Sequence, residues 1–141
     1  MKESHILLVE DNEGDIVLAI EAFEETNINS KISVVKNGRD ALDFLLRRRG
    51  FEDVDKPDLI LLDLNIPIFN GLDVLKTIKA DDMLKRIPIL ILSTSSNQKE
   101  INKAYEYHAN SYIIKPLNME DYLKVISKIG EYWLRLAQLS E

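Results

Sequence analysis

The chain has no cysteine, and aromatic residues make up only 7% of its 141 positions. Without cysteine there can be neither a disulfide framework nor a thiolate metal site. Apolar runs are also short: the longest are about five residues, whereas a membrane-spanning helix needs about 20. The opening segment MKESHILLVE lacks the long apolar stretch of a signal peptide. We therefore expect a cytoplasmic protein without membrane association.

Basic residues are in the minority, because 18 Lys and Arg stand against 24 Asp and Glu and leave a formal net charge of −6. The one basic cluster is Arg47 to Arg49. A nucleic-acid backbone is bound by lysines and arginines spread along a whole face, and this triplet is better explained as a solvated helix end. No nucleic acid partner is expected.

Several catalytic motifs are missing as well. The five glycines form no phosphate-binding loop, the two histidines are the isolated His5 and His108, and nothing resembles a serine–histidine pair. These absences exclude the common nucleotide-binding and acyl-transfer sites. What remains is a chain of ordinary globular composition, with 45% apolar and 30% charged residues and a length that fits one domain.

Five short apolar runs alternate with segments of helical spacing, which predicts a doubly wound, five-stranded parallel α/β sheet. Four of the runs lack polar alternation, as expected when helices cover both faces of a sheet. The predicted strands are Ile6–Val9, Ile32–Val35, Leu59–Leu62, Ile89–Leu92 and Tyr112–Ile114. The last predicted helix has Asn118 as its N-cap and extends to about Leu139.

Polar side chains follow four of these strands directly. Ligands of such sheets bind at the carboxyl ends of the strands, where the strand order reverses, so we expect these side chains to lie together. They comprise three acids, two hydroxyls and a lysine, namely Glu10, Asp11, Asp63, Ser93, Thr94 and Lys115.

The three acids cannot share one edge without a cation. At a separation of about 4 Å each pair would repel by roughly 4 kcal/mol at an effective dielectric constant of 20. Mg²⁺ suits oxygen ligands and takes one or two carboxylates plus a phosphate, and Lys115 would balance the remaining charge. A carboxylate beside Mg²⁺ and a lysine can itself attack phosphorus, so Asp63 could become an aspartyl phosphate. Ser93 could then hydrogen-bond the phosphoryl oxygens.

These residues resemble a known family. Glu10-Asp11 after the first strand, DLNIPIFNG around Asp63, Ser93 after the fourth strand and YIIKP at the fifth are similar to the receiver domain of two-component response regulators. The resemblance covers about residues 4–128 and implies a flavodoxin-like fold of the kind found in the chemotaxis regulator.

The resemblance implies a role for each site residue. Asp63 would be the phosphoacceptor, with phosphate supplied by a phosphohistidine on a sensor histidine kinase. Asp11, Asp63 and the backbone carbonyl of Asn65 would bind Mg²⁺, with Glu10 acting through a water. The remaining roles would be phosphoryl contacts by Ser93 and Lys115, a conformational switch through Ser93 and Tyr112, and a cis peptide bond before Pro116.

Finer features resemble stand-alone regulators that partner bacterial phytochrome kinases. They are the long segment RRRGFEDVDKP, the segments LSTSS and YEYHANSYIIKP, and the final EYWL. We expect residues 1–141 to form a single receiver, with a core of about 4–128 and a C-terminal extension of 129–141. Its signal would leave through contact with a downstream protein that the sequence does not identify.

The C-terminal helix is predicted to mediate a homodimer. A helix of some 22 residues would be about 33 Å long, which exceeds the sheet beneath it, and its overhang would expose Trp133 and Leu136. Two-fold pairing of identical helices is a common way to bury such side chains. The alternative is a tail that bends at Gly130 and packs back onto the sheet.

Two other functions share part of this pattern. A phosphohydrolase of the haloacid dehalogenase type also uses a strand-end aspartate with Mg²⁺, but it would need a second acid where this chain has Asn65. A pseudo-receiver would be a docking module without phosphate chemistry, yet every acidic position is filled. The sequence therefore favours a phosphoacceptor switch that is not a metabolic enzyme.

Overall fold

The computed structural model describes residues 2–141 as alternating strands and helices. The strands are β1 (Ser4–Val9), β2 (Ser30–Val35), β3 (Leu59–Leu62), β4 (Ile89–Ser93) and β5 (Ser111–Ile114). The helices are α1 (Glu13–Glu25), α2 (Gly38–Leu45), α3 (Gly71–Ala80), α4 (Gln98–Glu106) and α5 (Met119–Gly130), with a 3₁₀ turn at Leu84–Arg86 and a π-helical segment at Glu131–Leu136.

The five strands form one parallel sheet in the order β2-β1-β3-β4-β5. The predicted doubly wound fold is confirmed, and every predicted strand lies within an observed one. The order reverses between β1 and β3, so the crevice expected for a ligand opens beside the ends of these two strands.

Helices cover both faces of the sheet and give it two apolar layers. Leu7 and Val9 of β1 face the layer under α2, α3 and α4, while Ile6 and Leu8 face the layer under α1 and α5. All four residues of β3 are fully buried, as a continuous apolar strand between two helical layers should be. None of the helices within residues 2–141 is long and apolar enough to cross a bilayer.

Each of the five α-helices begins after an asparagine that caps it. The asparagine side-chain oxygen accepts a hydrogen bond from a backbone N–H two or three residues later, which satisfies one of the free donors of the first turn. The capping residues are Asn12, Asn37, Asn70, Asn97 and Asn118. At the carboxyl edge of the sheet, these caps fix where each helix starts relative to the strand before it.

The C-terminal helix is shorter than predicted. Its α-helical part ends at Gly130, the π-helical segment ends at Leu136, and Ala137 is extended. Trp133 and its neighbour Leu134 pack partly against the layer under α1 and α5. Arg135 donates to the carbonyl of Thr26 at 3.1 Å. The extension is therefore held against its own chain along one side, by this apolar packing and by the bond from Arg135 to the carbonyl that follows α1.

The Arg47–Arg49 triplet is a helix end, as expected, but two of its side chains are engaged. Arg48 Nε lies 2.6 Å and Arg49 Nη1 3.3 Å from the buried carboxylate of Asp43. The hydrogen bond from Arg48 is the main reason that the pKa of Asp43 lies below its usual value. These arginines neutralise an internal acid and form no open basic face.

Candidate functional site

The strand-end side chains meet at the carboxyl edge of the sheet. Glu10, Asp63 and Lys115 are all buried there, while Asp11 is exposed. Carboxylate oxygens of Glu10, Asp11 and Asp63 all lie within 4.8 Å of one another. The structure thus brings together the three acids predicted to share this edge, and their spacing suits a hard divalent cation.

Lys115 holds the cluster together. Its Nζ lies 2.5 Å from Glu10 Oε1, 3.0 Å from Asp63 Oδ2 and 3.0 Å from Asp15 Oδ2. An ammonium group has three N–H donors, and all three are therefore committed to carboxylates. Lys115 directly follows β5, which pairs in parallel with β4. The backbone N–H of Lys115 extends this pairing by donating to the carbonyl of Ser93 at 2.7 Å.

Asp15 is a further residue of the site and was not predicted from the sequence. It does not follow a strand but lies in the first turn of α1, where acids commonly complement the helix dipole. Its backbone N–H donates to the capping Asn12 at 2.9 Å, and its carboxylate reaches Lys115. The only signal in the sequence is the position of Asn12, which starts α1 just after Glu10-Asp11 and so keeps its first turn beside the cluster.

Burial and like charge dominate the electrostatics of the site. Burial, reinforced by Asp63, raises the pKa of Glu10 to about 7. Burial alone would lower the pKa of Lys115, but its bond to Glu10 and the charge of Asp63 raise that pKa above the usual value. The pKa of the nearby Tyr122 is also raised, chiefly by burial. The ammonium therefore stays charged, while the buried Glu10 resists ionisation.

The loop after β3 is held by hydrogen bonds and by a close glycine contact. Asp63 Oδ1 accepts from the backbone N–H of Asn65 at 3.0 Å, which fixes the orientation of the carboxylate. A Cβ on Gly71 would lie 2.5 Å from Leu64 Cα and 2.6 Å from the carbonyl oxygen of Asp63. Only glycine lets α3 start this close to the Asp63 backbone.

Ser93 is buried at the end of β4, and its hydroxyl accepts from the backbone N–H of Ser95 at 3.2 Å. Thr94 is exposed. Together these residues form one wall of a groove of about 480 Å³ whose opposite wall includes Asn65. Of the two predicted hydroxyls, Ser93 is therefore the buried one, and its carbonyl is bonded to the backbone of Lys115.

Tyr112 connects β5 to the loop after β4. Its hydroxyl donates to the carbonyl of Ser95 at 2.8 Å, and its backbone N–H donates to the hydroxyl of Tyr105 at 3.0 Å. The first bond links the ring to the loop that carries Ser93, and the second links the outer side of β5 to α4. Tyr112 is thus in contact with the segments that a Ser93-dependent switch would have to move.

The sequence matches the family model described as "Response regulator receiver domain" over residues 6–127. The chain belongs to the response regulator receiver family. Receivers are phosphate-accepting signalling domains of two-component systems, so the predicted class of function is confirmed.

Two curated relatives cover nearly the whole chain. The response regulator Rcp1 of Synechocystis is 38% identical over 134 residues, which are 95% of this chain and 91% of Rcp1. The probable methanogenesis regulatory protein FilR2 of Methanothrix harundinacea is 40% identical over 129 residues, covering 92% of this chain and 83% of FilR2.

A solved structure is similar over the full length. The phosphorylated cyanobacterial phytochrome response regulator RcpA has a TM-score of 0.97 and 39% identity, with 99% of this chain and all of that chain covered. The likeness to Rcp1 extends to its Mn²⁺-bound crystal structure, with a TM-score of 0.95 over 98% of this chain and 99% of that one. Both the fold and the resemblance to stand-alone regulators are therefore confirmed.

One predicted detail of this receiver is wrong. There is no cis peptide bond within residues 2–141, so the bond between Lys115 and Pro116 is trans. The trans form of an X–Pro bond is favoured by about 0.5–1 kcal/mol. Here Lys115 reaches all three of its carboxylates from the trans backbone, so no contact at the site requires the cis form.

The two residues predicted for a dimer surface, Trp133 and Leu136, both lie in the π-helical segment after α5 but differ in environment. Leu136 is 75% exposed, and the neighbouring Tyr132 is 52% exposed. Trp133 instead packs partly against its own chain. A surface for a second copy would therefore be centred on Tyr132 and Leu136.

Proposed function

We propose that the chain is a cytoplasmic phosphoacceptor switch that takes phosphate from the phosphohistidine of a sensor histidine kinase onto Asp63. The observation that carries this proposal is the ion pair between buried Lys115 and Asp63 at the switch point of the sheet. A buried ammonium that fixes one carboxylate beside two other acids is suited to binding an arriving phosphoryl group.

The proposed kinase is of the phytochrome type. Support comes from RcpA, which is described as a cyanobacterial phytochrome response regulator and matches this chain at a TM-score of 0.97. Agreement over 99% of this chain includes the C-terminal extension and the long loop before β3. A downstream protein would bind the surface that changes when Asp63 is phosphorylated.

In the proposed transfer Asp63 acts as the nucleophile. One of its carboxylate oxygens would attack phosphorus while the bond from phosphorus to the donor breaks. Lys115 would donate an N–H to a phosphoryl oxygen, and the Ser93 hydroxyl would exchange its bond with Ser95 for a phosphoryl contact. Because Tyr112 bonds to Ser95, that exchange would reach Tyr112, which makes this tyrosine the proposed output of the switch.

A divalent cation fits the acid cluster. Three carboxylate oxygens within 4.8 Å of one another form a hard-oxygen site, and Lys115 supplies only one positive charge against them. We assign Mg²⁺ to Asp11, Asp63 and the backbone carbonyl of Asn65, with Glu10 acting through a water. When bound, the cation neutralises charge on the transferring phosphoryl group.

The two rival functions have less support. A dehalogenase-type hydrolase would need an acid in place of Asn65, which here contributes a backbone N–H to Asp63. A pseudo-receiver would have no need of the buried Lys115–Asp63 pair. In the proposed function, the protein is a switch that assists its own phosphorylation and dephosphorylation and is not a metabolic enzyme.

The proposal is tested with acetyl phosphate and Mg²⁺, followed by intact mass measurement. The wild type should gain one phosphoryl group, while Asp63→Asn should gain none. Labelling should also vanish without Mg²⁺, because an anion must approach three carboxylates. An adduct that persists in Asp63→Asn would contradict the assignment of Asp63, and a wild type that never takes up phosphate would favour the pseudo-receiver.

We also propose a homodimer formed through the C-terminal extension. Tyr132 and Leu136 are exposed, and with Lys128, Glu131 and Arg135 they line a shallow, mainly apolar depression. The Tyr132 ring rests edge-on against that of Trp133, with ring centroids 5.2 Å apart. Two copies related by a two-fold axis could each bury this patch against the other. The inward packing of Trp133 makes the proposed contact smaller than the overhanging helix of the sequence prediction.

A further inference from the structure

The fourth carboxylate of the site, Asp15, differs from the other two partners of Lys115 in its access to water. The side chains of Glu10 and Asp63 are 2% and 10% exposed, whereas that of Asp15 is 28% exposed. All three contact the same ammonium nitrogen. If a bond to Lys115 breaks, the carboxylate of Asp15 is therefore the one that water can most readily hydrate.

The contact between Asp15 and Lys115 is not explained by helix capping. Asn12 already satisfies the backbone N–H of Asp15, and Glu13 supplies another acid to the same first turn. Glu13 pairs with Lys36 at the surface, away from Lys115. The carboxylate of Asp15 is turned inward, across 100 residues of sequence, to a lysine that already has two acidic partners.

We propose that Asp15 is a positioning residue that holds Lys115 back and competes with the phosphoryl group for its third N–H. This inference rests on the proposed phosphorylation of Asp63. In the unphosphorylated protein the three bonds saturate the ammonium, so a phosphoryl oxygen gains a donor only when a carboxylate gives one up. Asp15 is the residue that gives it up, because releasing the buried Glu10 would leave a desolvated charge without a partner.

The transfer step with a small donor makes the competition explicit. An oxygen of Asp63 bonds to the phosphorus of acetyl phosphate, and the bond from phosphorus to the acetyl oxygen breaks. Acetate leaves with that electron pair, so no proton or additional reactant is required. Asp15 opposes this step twice, by occupying a donor of Lys115 and by placing a negative charge near the entering dianion.

The expected effect on the rate of phosphorylation follows from removing the negative charge of Asp15 near the entering phosphoryl dianion. Neutralising Asp15 should accelerate phosphorylation about three- to tenfold at low ionic strength, and added salt should reduce this gain because exposed charges are screened. A purely structural role would instead change the melting temperature without accelerating the reaction.

The test compares Asp15→Asn and Asp15→Ala with the wild type, and it uses Glu13→Gln as the matched control. Both Asn and Gln remove one charge from the first turn of α1, but only the change at position 15 alters a contact to Lys115. Rate constants for adduct formation with acetyl phosphate are measured by intact mass at low and high salt, alongside melting temperatures.

We expect both Asp15 variants to react faster than Glu13→Gln, with Asp15→Ala at least as fast as Asp15→Asn. Rates equal to that of Glu13→Gln, or slower, would overturn the inference while leaving the phosphorylation of Asp63 intact. A salt-independent gain would also overturn it. Failure of the proposed function would look different, because the wild type would then form no adduct.

Discussion

At the scale of single residues, His5 is a buried histidine outside the acid cluster. Its ring is 5% exposed, its Nε2 lies 2.8 Å from the hydroxyl of Ser33, and its ring centroid lies 5.9 Å from that of Phe44. Burial lowers the pKa of His5, and Lys31 lowers it further, while the backbone of Lys56 and the acids Asp55 and Asp58 oppose this only in part. The folded protein therefore favours neutral His5.

This environment predicts lower stability in mild acid. Because the pKa of His5 is lower in the folded than in the unfolded chain, the unfolded chain binds more protons below about pH 6.5. Each pH unit between the two pKa values should remove at most about 1.4 kcal/mol of unfolding free energy. Urea denaturation of wild type and His5→Asn at pH 5 and pH 8 checks this prediction.

In His5→Asn, the free energy of unfolding should depend less on pH than it does in the wild type. His108→Asn is the control, since His108 is exposed and its φ of 71° suits asparagine. If His5→Asn and the wild type lost equal stability between pH 8 and pH 5, the role of His5 would be refuted.

Residue chemistry also shows where prediction from the sequence reached its limit. Glu10, Asp11, Asp63 and Lys115 could be predicted together because parallel strands end at one edge. Asp15 could not, because an acid in a first helical turn is already accounted for by the helix dipole. Its inward orientation depends on how the first turn of α1 lies beside Lys115, 100 residues further along the chain, and only the three-dimensional structure contains that information.

At the scale of elements, the start of α3 is fitted to the loop that follows β3. Gly71 donates its backbone N–H to the carbonyl of Leu64 at 2.9 Å, and its missing side chain leaves room for the Asp63 carbonyl. A methyl group there would push against main-chain atoms, which cannot rotate away as a flexible side chain could. The helix and the loop would have to separate.

Gly71→Ala should therefore lower stability by about 1–3 kcal/mol, as overpacking of a tight contact does. Phosphorylation by acetyl phosphate should slow as well, because the displaced loop carries Asp63. Urea denaturation and intact mass measure the two effects.

Gly130→Ala is the matched control, since its added carbon would meet Ile28 and Phe23 at 3.5 Å, an ordinary contact. Because alanine is the better helix former, this change should keep or raise stability. Equal stability of Gly71→Ala and the wild type would show that the loop is not constrained there.

Element boundaries were predictable where local chemistry decides them. The strands followed from their apolar runs, and Asn118 correctly marked the start of α5. The end of that helix was predicted too late. The apolar spacing continues past Leu136, but the backbone stops being α-helical at Gly130 and is extended at Ala137. Contacts of Trp133 and Arg135 with the rest of the chain shape this segment, and no local pattern encodes them.

At the scale of the whole molecule, the C-terminal patch predicts the oligomeric state. Wild-type protein at tens of micromolar should scatter light as a particle of about twice the 16.2 kDa chain mass. Leu136→Asp should give monomers, because a charge would be buried at the centre of the proposed contact. Trp133→Ala is less informative, since it also removes packing within the chain.

Leu117→Asp provides the control for this experiment. Leu117 is 99% exposed but follows β5 beside the acid cluster, so the same substitution there should leave the dimer intact. A wild-type mass near that of one chain would refute the dimer. Dissociation by both substitutions would indicate that added charge acts without regard to the patch.

The bond between Tyr105 and the backbone of Tyr112 has a consequence for colloidal behaviour. An unpaired strand edge can template the growth of cross-β aggregates, and β5 is one of the two edges of this sheet. β5 is only four residues long, and Tyr105 occupies one of its outward N–H groups. The other edge, β2, carries the charged Lys31. Both margins thus disfavour strand-by-strand polymerisation, which should keep concentrated solutions of the protein free of fibrils.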